Sequence, residues 1–295
     1  MTTARTVKEV GIWAGGGSAD ASAWARSPEG AAEIERLGYS ELWISGGQGS
    51  GIAPFFAEAL DATSRLKVAS GIVSIYAADA PDVAAAATEI ERAFPSRFIL
   101  GLGNSHEPAV ERLGRTYDKP YSAMVEYLDA LDALAAKDPG SVGDRMLAAL
   151  GPRMLRLSAE RSLGAHPYFV PPEHTELARR TMGEGPRIAT EQAVVLEADP
   201  VKAREIARRH TRTYLRLPNY TNNLRRLGWG DEDLLGEGSD ALTDAIVAWG
   251  DPQDVAQRVR AHHDAGADIV LLQVLVPDAD TTQQEAYRRL ADWLI

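Results

Sequence analysis

Short apolar runs alternate with amphipathic stretches along the chain. Val7 to Ala14 alternates and ends in Gly15-Gly16-Gly17, which predicts a first strand running into a loop without side chains. Ser27-Pro28 opens a helix with Ala31, Ala32, Ile34 and Leu37 on its apolar face, and Gly38 closes it. A second strand, Tyr39 to Ser45, follows the first by about thirty residues, the length of one strand-helix unit. The rhythm then repeats. Further strands are predicted over Leu66 to Val73, from Arg97 to Leu102, and over Met146 to Ala149, Gly164 to Val170, Arg187 to Leu196 and Asp268 to Val276. Helices are predicted over Pro54 to Thr63, Pro81 to Phe94, Ser122 to Ala136, Met154 to Ser162, Glu173 to Met182 and Pro200 to Arg216, then over Thr243 to Trp249, Pro252 to Ala265 and Thr282 to Leu294.

Strands alternating with helices demand a parallel sheet with helices outside. Residues 1–295 therefore read as a single α/β domain: a (β/α)8 TIM barrel, with an open doubly wound sheet as the alternative. Leu217 to Asp240 breaks the alternation with Pro218-Asn219-Tyr220-Thr221-Asn222-Asn223 and several glycines. Its aromatic content is too high for a spacer, so residues 217–240 are expected to form an inserted lid or interface region before the last strand. Arg204, Arg208, Arg209, Arg212 and Arg216 make a helical stripe expected to be solvated.

Composition narrows the chemistry. The 295 residues, 45% hydrophobic and 25% charged, can bury a barrel-sized core. The absence of cysteine excludes disulfides, thiolate catalysis and Cys-based metal sites, so redox chemistry would need a bound cofactor. A net charge of −11 disfavours nucleic acid. No stretch has the roughly 20 apolar residues of a membrane span, and Met1 to Val10 has no signal-like apolar core, so a cytoplasmic location is expected.

The candidate chemistry lies where strands end. Phe98 to Leu102 reads as a strand buried on both faces, and it runs straight into Gly103-Asn104-Ser105-His106. Ligands collect at that end of parallel strands. Gly101-x-Gly103-x-x-His106 is not a dinucleotide fingerprint, because His replaces the third glycine and no acidic partner follows at the right distance. The glycines can instead admit a flat ring, with Asn104, Ser105 and His106 at its edge. His106, with an ordinary pKa of about 6.5, can serve as proton donor. A histidine in this place can equally well bond a loop carbonyl. Ala149-Leu150-Gly151-Pro152-Arg153 joins a strand end to a helix start, where free backbone donors suit a phosphate, although plain connectors share that composition. His262 and His263 are neighbours on a helix and face apart, so no metal site is expected. No Gly-x-Ser-x-Gly elbow is present.

Taken together, Arg97-Phe98-Ile99-Leu100-Gly101-Leu102-Gly103, Gly71 with Pro81-Asp82-Val83-Ala84, and Gly38-Tyr39 with Leu42-Trp43 resemble the luciferase-like flavin or deazaflavin oxidoreductases. More narrowly they resemble the actinobacterial branch that uses coenzyme F420. Tyr117-Asp118-Lys119-Pro120, Gly164-Ala165-His166-Pro167-Tyr168-Phe169, Pro172-Glu173-His174, Glu191-Gln192-Ala193, Asn219-Tyr220-Thr221-Asn222-Asn223 and Gly266-Ala267-Asp268 extend the likeness over nearly the whole chain.

The resemblance implies a barrel with the cofactor ring at the C-terminal ends of the strands, a non-proline cis peptide at Gly71-Ile72, and a homodimer. It implies cofactor contacts from Gly71, Ile72, Gly103, Asn104, Ser105 and His106, with the phosphate on Ala148, Ala149, Leu150, Gly151, Pro152, Arg153 and Met154. His106 is the implied catalytic acid. Trp13, Ser45, Gly46, Tyr168, Glu173, His174 and Tyr220 are expected around a small-molecule substrate. Two positions depart from the family pattern: Ser45-Gly46-Gly47 stands where relatives carry an acid, and Ala78 where they carry an arginine. The implied function is hydride transfer from reduced F420 to a conjugated C=C or C=N bond, on the pattern of the dihydropyrrole-carboxylate reductases of lincosamide and pyrrolobenzodiazepine assembly. An FMN-dependent monooxygenase is the alternative cofactor reading, and a ligand-binding barrel without cofactor is the third.

Overall fold

The computed structural model describes residues 9–15, 22–46, 51–138, 142–278 and 283–295. Among them ten strands form one parallel sheet: β1 (Glu9–Ala14), β2 (Glu41–Ile44), β3 (Lys67–Ser70), β4 (Val73–Ser74), β5 (Phe98–Gly103), β6 (Asp144–Ala148), β7 (Gly164–His166), β8 (Arg187–Val195), β9 (Val247–Trp249) and β10 (Ile269–Val274). β10 pairs with β1 through Glu9↔Ile269 and with β8 through Ile269↔Ala189, which closes eight strands into a barrel. The open-sheet alternative is thereby excluded. The short β4 and β9 pair with β5 and β8.

Local signals position the helices. Ser27 Oγ accepts from the Gly30 N–H at 3.0 Å, Pro28 fills the first turn, and left-handed Gly38 (φ 96°) ends the helix Pro28–Leu37. The barrel interior is packed with Trp43, Ala69, Ile99, Met146, Ala189 and Leu271, while a second apolar layer lies between helices and strands. Gly101 serves that packing, since a Cβ there would sit 1.9 Å from the Ser70 carbonyl oxygen. No helix among the described residues is long and apolar enough to cross a membrane.

Several predicted boundaries are corrected. The helix expected over Thr243 to Trp249 is Asp240–Ile246, and Val247-Ala248-Trp249 is strand β9 against Ala193–Val195; an apolar run this short takes its state from its neighbours. The strand expected over Gly164 to Val170 stops at His166, because Pro167 has no donor and Phe169 is left-handed (φ 59°). The strand expected over Leu66 to Val73 divides into β3 and β4 at the Gly71–Ile72 peptide, which is cis. The arginine stripe is not simply solvated: Arg204 holds Asp244 at 2.6 Å, Arg208 holds Asp240 and Arg212 holds Glu237. Residues 217–240 contain the helices Pro218–Arg226 and Asp231–Leu234. Parts of the expected first strand, the glycine loop, the Lys137 to Gly140 turn and Thr282 lie outside the described residues.

Candidate active site

A cleft of about 420 Å³ opens at the C-terminal ends of the strands. Its floor comes from Gly71 and Ile72 between β3 and β4 and from Gly103 at the end of β5. A Cβ on Gly103 would lie 2.7 Å from Ile72 Cδ1, and one on Gly71 would lie 2.8 Å from Trp13 Nε1, so glycine keeps this floor low. Asn104, Ser105 and His106 follow along one edge. Ser105 adopts a left-handed conformation (φ 59°), an uncommon one for a residue with a Cβ, as the chain turns away from the strand.

Opposite, Ala148, Ala149, Leu150, Gly151 and Met154 line the cleft where β6 enters the helix Pro152–Arg161. Arg226, on the inserted helix Pro218–Arg226, faces this helix start: its Nη1 would lie 3.8 Å from a Cβ on Gly151. No described carboxylate pairs with it. The N-terminal dipole and the guanidinium together form the positive end of the cleft.

The remaining wall is aromatic. Trp13 packs on Tyr168 with ring centroids 5.0 Å apart, Tyr168 on Tyr214 at 5.1 Å, Tyr214 on Tyr220 at 5.1 Å, and Tyr220 on His106 at 5.4 Å. Ser45 and Tyr117 also contribute. Phe169, behind this wall, turns its N–H onto Glu191 Oε2 at 3.1 Å. Glu191 is fully buried with its other oxygen unpartnered, and burial pushes its carboxyl up to about 8.

The histidines of the cleft are neutral at pH 7. His106 is lowered by burial, opposed by a hydrogen bond with the Asn219 side chain, and its Nδ1 has no partner. His166, pushed down to about 4 by burial, donates from Nδ1 to the Ala189 carbonyl at 2.7 Å and lies against Trp43 at 4.4 Å. Three buried polar atoms of lining residues are unpartnered: Trp13 Nε1, Asn104 Oδ1 and His106 Nδ1. Unpartnered groups of this kind are rare in a finished core and common where a ligand completes the set. A low glycine floor, bare polar atoms at its edge and a positive far end fit a flat heterocycle carrying a phosphate.

Most of the residues expected from the sequence are brought together here. The exceptions have physical reasons. Glu173 is exposed and does not line the cleft, and its neighbour His174 is fully buried behind it, with Nε2 bonded to the Leu150 carbonyl at 2.9 Å. Arg153 is exposed and stacks on Tyr121 at 4.1 Å, and Pro152 belongs to the helix start beneath the lining. Gly46 faces Phe55, and Ala78 is buried in the core with its carbonyl bonded to Tyr127. Gly47 lies outside the described residues. His262 is committed to Thr175 and Gln192, both at 2.9 Å. Arg226, Asn219, Asn222, Tyr214, Tyr117 and His166 line the cleft without having been singled out as site residues; the spacing of Asn219, Asn222 and Arg226 on one helical face was the available signal.

Known structures share this architecture. An F420-dependent secondary alcohol dehydrogenase, solved with an F420-acetone adduct, superposes with a TM-score of 0.74 at 13% identity over 97% of both chains. The coenzyme F420-dependent tetrahydromethanopterin reductase of Methanopyrus kandleri gives 0.70 at 16% identity, over 96% of this chain and 97% of that one. The oxygenating constituent of 3,6-diketocamphane monooxygenase from Pseudomonas putida, solved with FMN, gives 0.68 at 14% identity over 96% of both. No curated protein matches the sequence. Residues 9–268 match the luciferase-like monooxygenase family, and the chain belongs to that family.

Proposed function

We propose that this protein is an F420-dependent oxidoreductase that transfers a hydride from the reduced cofactor to a conjugated C=C or C=N bond of a small substrate. The observation that carries the reading is the cleft's polarity: bare buried polar atoms beside a glycine floor at one end, and Arg226 over a helix start at the other. The sequence resemblance to the F420-using branch favours the deazaflavin, and the alcohol dehydrogenase and reductase neighbours agree with it. When bound, reduced F420 would supply the hydride. Gly71, Ile72 and Gly103 would support its ring, and Ala149 to Gly151 with Arg226 would hold its phosphate.

The chain's own part is positioning and proton supply. Trp13, Tyr168 and Tyr220 confine the substrate against the floor and exclude water. His106 Nδ1 is the site for the proton. Burial holds the ring below its usual range, so a proton taken up there is readily passed on, and Asn219 steadies the ring meanwhile. Activity in the reducing direction should therefore fall with rising pH through an apparent value below that of free histidine. His106→Ala should lower turnover by about 10²-fold or more with cofactor affinity retained. Unchanged turnover would remove His106 from the reaction.

The FMN monooxygenase reading is supported by the family and by the diketocamphane neighbour. Fluorescence titration with F420 and with FMN decides between them. Tighter F420 binding, with no oxygen consumption, is expected; tight FMN binding with oxygen uptake would replace the proposal.

A further inference from the structure

We infer that the reacting end of the cleft takes an uncharged substrate, an unsaturated carbonyl or imine, in place of the carboxylate that the sequence resemblance implied. This rests on the reading above, in which the phosphate of the cofactor occupies the Gly151 end. Arg226 is the one charged side chain among the described lining residues, and it stands at that end. The described lining side chains that touch His106, those of Tyr220 and Asn219, are neutral.

The aromatic wall has little to offer an anion. Gln273 Nε2 donates to the Gly15 carbonyl at 3.0 Å, so its Oε1 is the acceptor for the Tyr168 hydroxyl at 2.8 Å. Tyr168 oxygen then accepts from the Tyr214 hydroxyl at 2.7 Å. Both hydroxyl protons are committed within the chain. The Trp13 N–H is unpartnered, a neutral donor suited to a carbonyl oxygen. His166 gives its proton to Ala189 and presents no cation.

The surroundings point the same way. Arg153, the nearest arginine after β6, is turned onto Tyr121, and Arg115, after β5, pairs with Asp79. Glu191, behind the wall, adds only negative charge when it ionises. While His106 is neutral, a carboxylate placed here would lose its water and gain no counter-charge from the described lining residues.

The test uses matched pairs that differ only in charge: cinnamamide and cinnamate, sorbamide and sorbate, and 1-cyclohexene-1-carboxamide and its carboxylate. Dissociation constants are measured by calorimetry on the F420-loaded protein and on cofactor-free Arg226→Gln, whose phosphate end has lost its side-chain charge. Each amide is expected to bind at least tenfold more tightly than its acid, and Arg226→Gln should leave that ratio unchanged. Equal or tighter binding of the acids, or no binding of any amide at millimolar concentration, overturns the inference. So does an acid whose affinity for the F420-loaded protein is lost in Arg226→Gln, because the guanidinium would then be reaching the substrate. Failure to bind F420 is seen separately in the cofactor titration, and the cofactor-free Arg226→Gln comparison still decides the substrate's charge.

Discussion

The two ends of the barrel treat polar groups in opposite ways. At the N-terminal ends of the strands, Glu41 is 1% exposed yet fully engaged, taking Arg187 on one oxygen and Trp43 Nε1 at 2.8 Å on the other. Arg187 also holds Glu9 at 2.6 Å. Asp268 binds Arg179 and the Ile188 N–H, and Arg97 donates to carbonyls of Leu60, Thr63 and Leu66. Glu35 accepts three successive backbone N–H groups, those of Ser64, Arg65 and Leu66, and these hold its carboxyl down to about 2. At the C-terminal ends, Trp13, Asn104 and His106 present buried polar atoms to nothing. One end is closed in its polar pairing and the other leaves polar atoms unpartnered, a division expected of barrels that bind at the C-terminal face. Stability and binding should therefore respond to substitution at different ends.

The largest effect should come from the closed end. Arg187→Ala would strand a buried Glu41 carboxylate, which costs about 3–5 kcal/mol and should lower the melting temperature by roughly 10 °C. Cofactor affinity of the folded protein should be unchanged. Thermal denaturation with and without cofactor checks both halves, and a variant that melts normally but binds weakly would break the division.

How much of this was legible in the sequence follows from what carries each feature. The eight barrel strands were readable because Gly38, Pro81, Pro152 and Pro200 punctuate the helices between long enough apolar runs. β9 was not, since three residues carry no period. Site residues that directly follow a strand, from Gly103 to His106 and from Ala149 to Gly151, were found because chain order alone places them at the barrel mouth. Arg226 and Asn222 share one helical face by their spacing, but that this helix lies over the cleft is set by tertiary structure alone. Glu173 and His174 show the converse: adjacent on one helix, they face solvent and core, and neither reaches the cleft.

Glu191 is the exception that sharpens the comparison, a buried acid near the open end with one oxygen unpartnered. Its carboxyl titrates at about 8 in the folded protein against 4.5 when solvated. Between those values the folded state keeps a proton that the unfolded chain has released, so stability falls as pH rises across that window. Glu191→Gln retains an acceptor for the Phe169 N–H and cannot ionise. The variant should be close to wild type at pH 5 and more stable on the order of 3 kcal/mol at pH 8. Denaturant midpoints at the two pH values measure this, and a difference independent of pH would mean that the acid is not titrating.

The smallest effect belongs to Arg226, because an exposed guanidinium facing a helix start contributes to binding and little to folding. Arg226→Gln removes its charge while the backbone donors of the turn remain. Affinity for F420 should drop about tenfold, or roughly 1.4 kcal/mol, while affinity for the same deazaflavin riboside without its phosphate should not change. Raising the salt concentration should weaken F420 binding to wild type more than to the variant, since screening acts on the charge that the variant lacks. Equal losses for both ligands would place Arg226 against the ring instead of the phosphate. The positive end of the cleft would then have to be sought in the backbone of residues 149–154 alone.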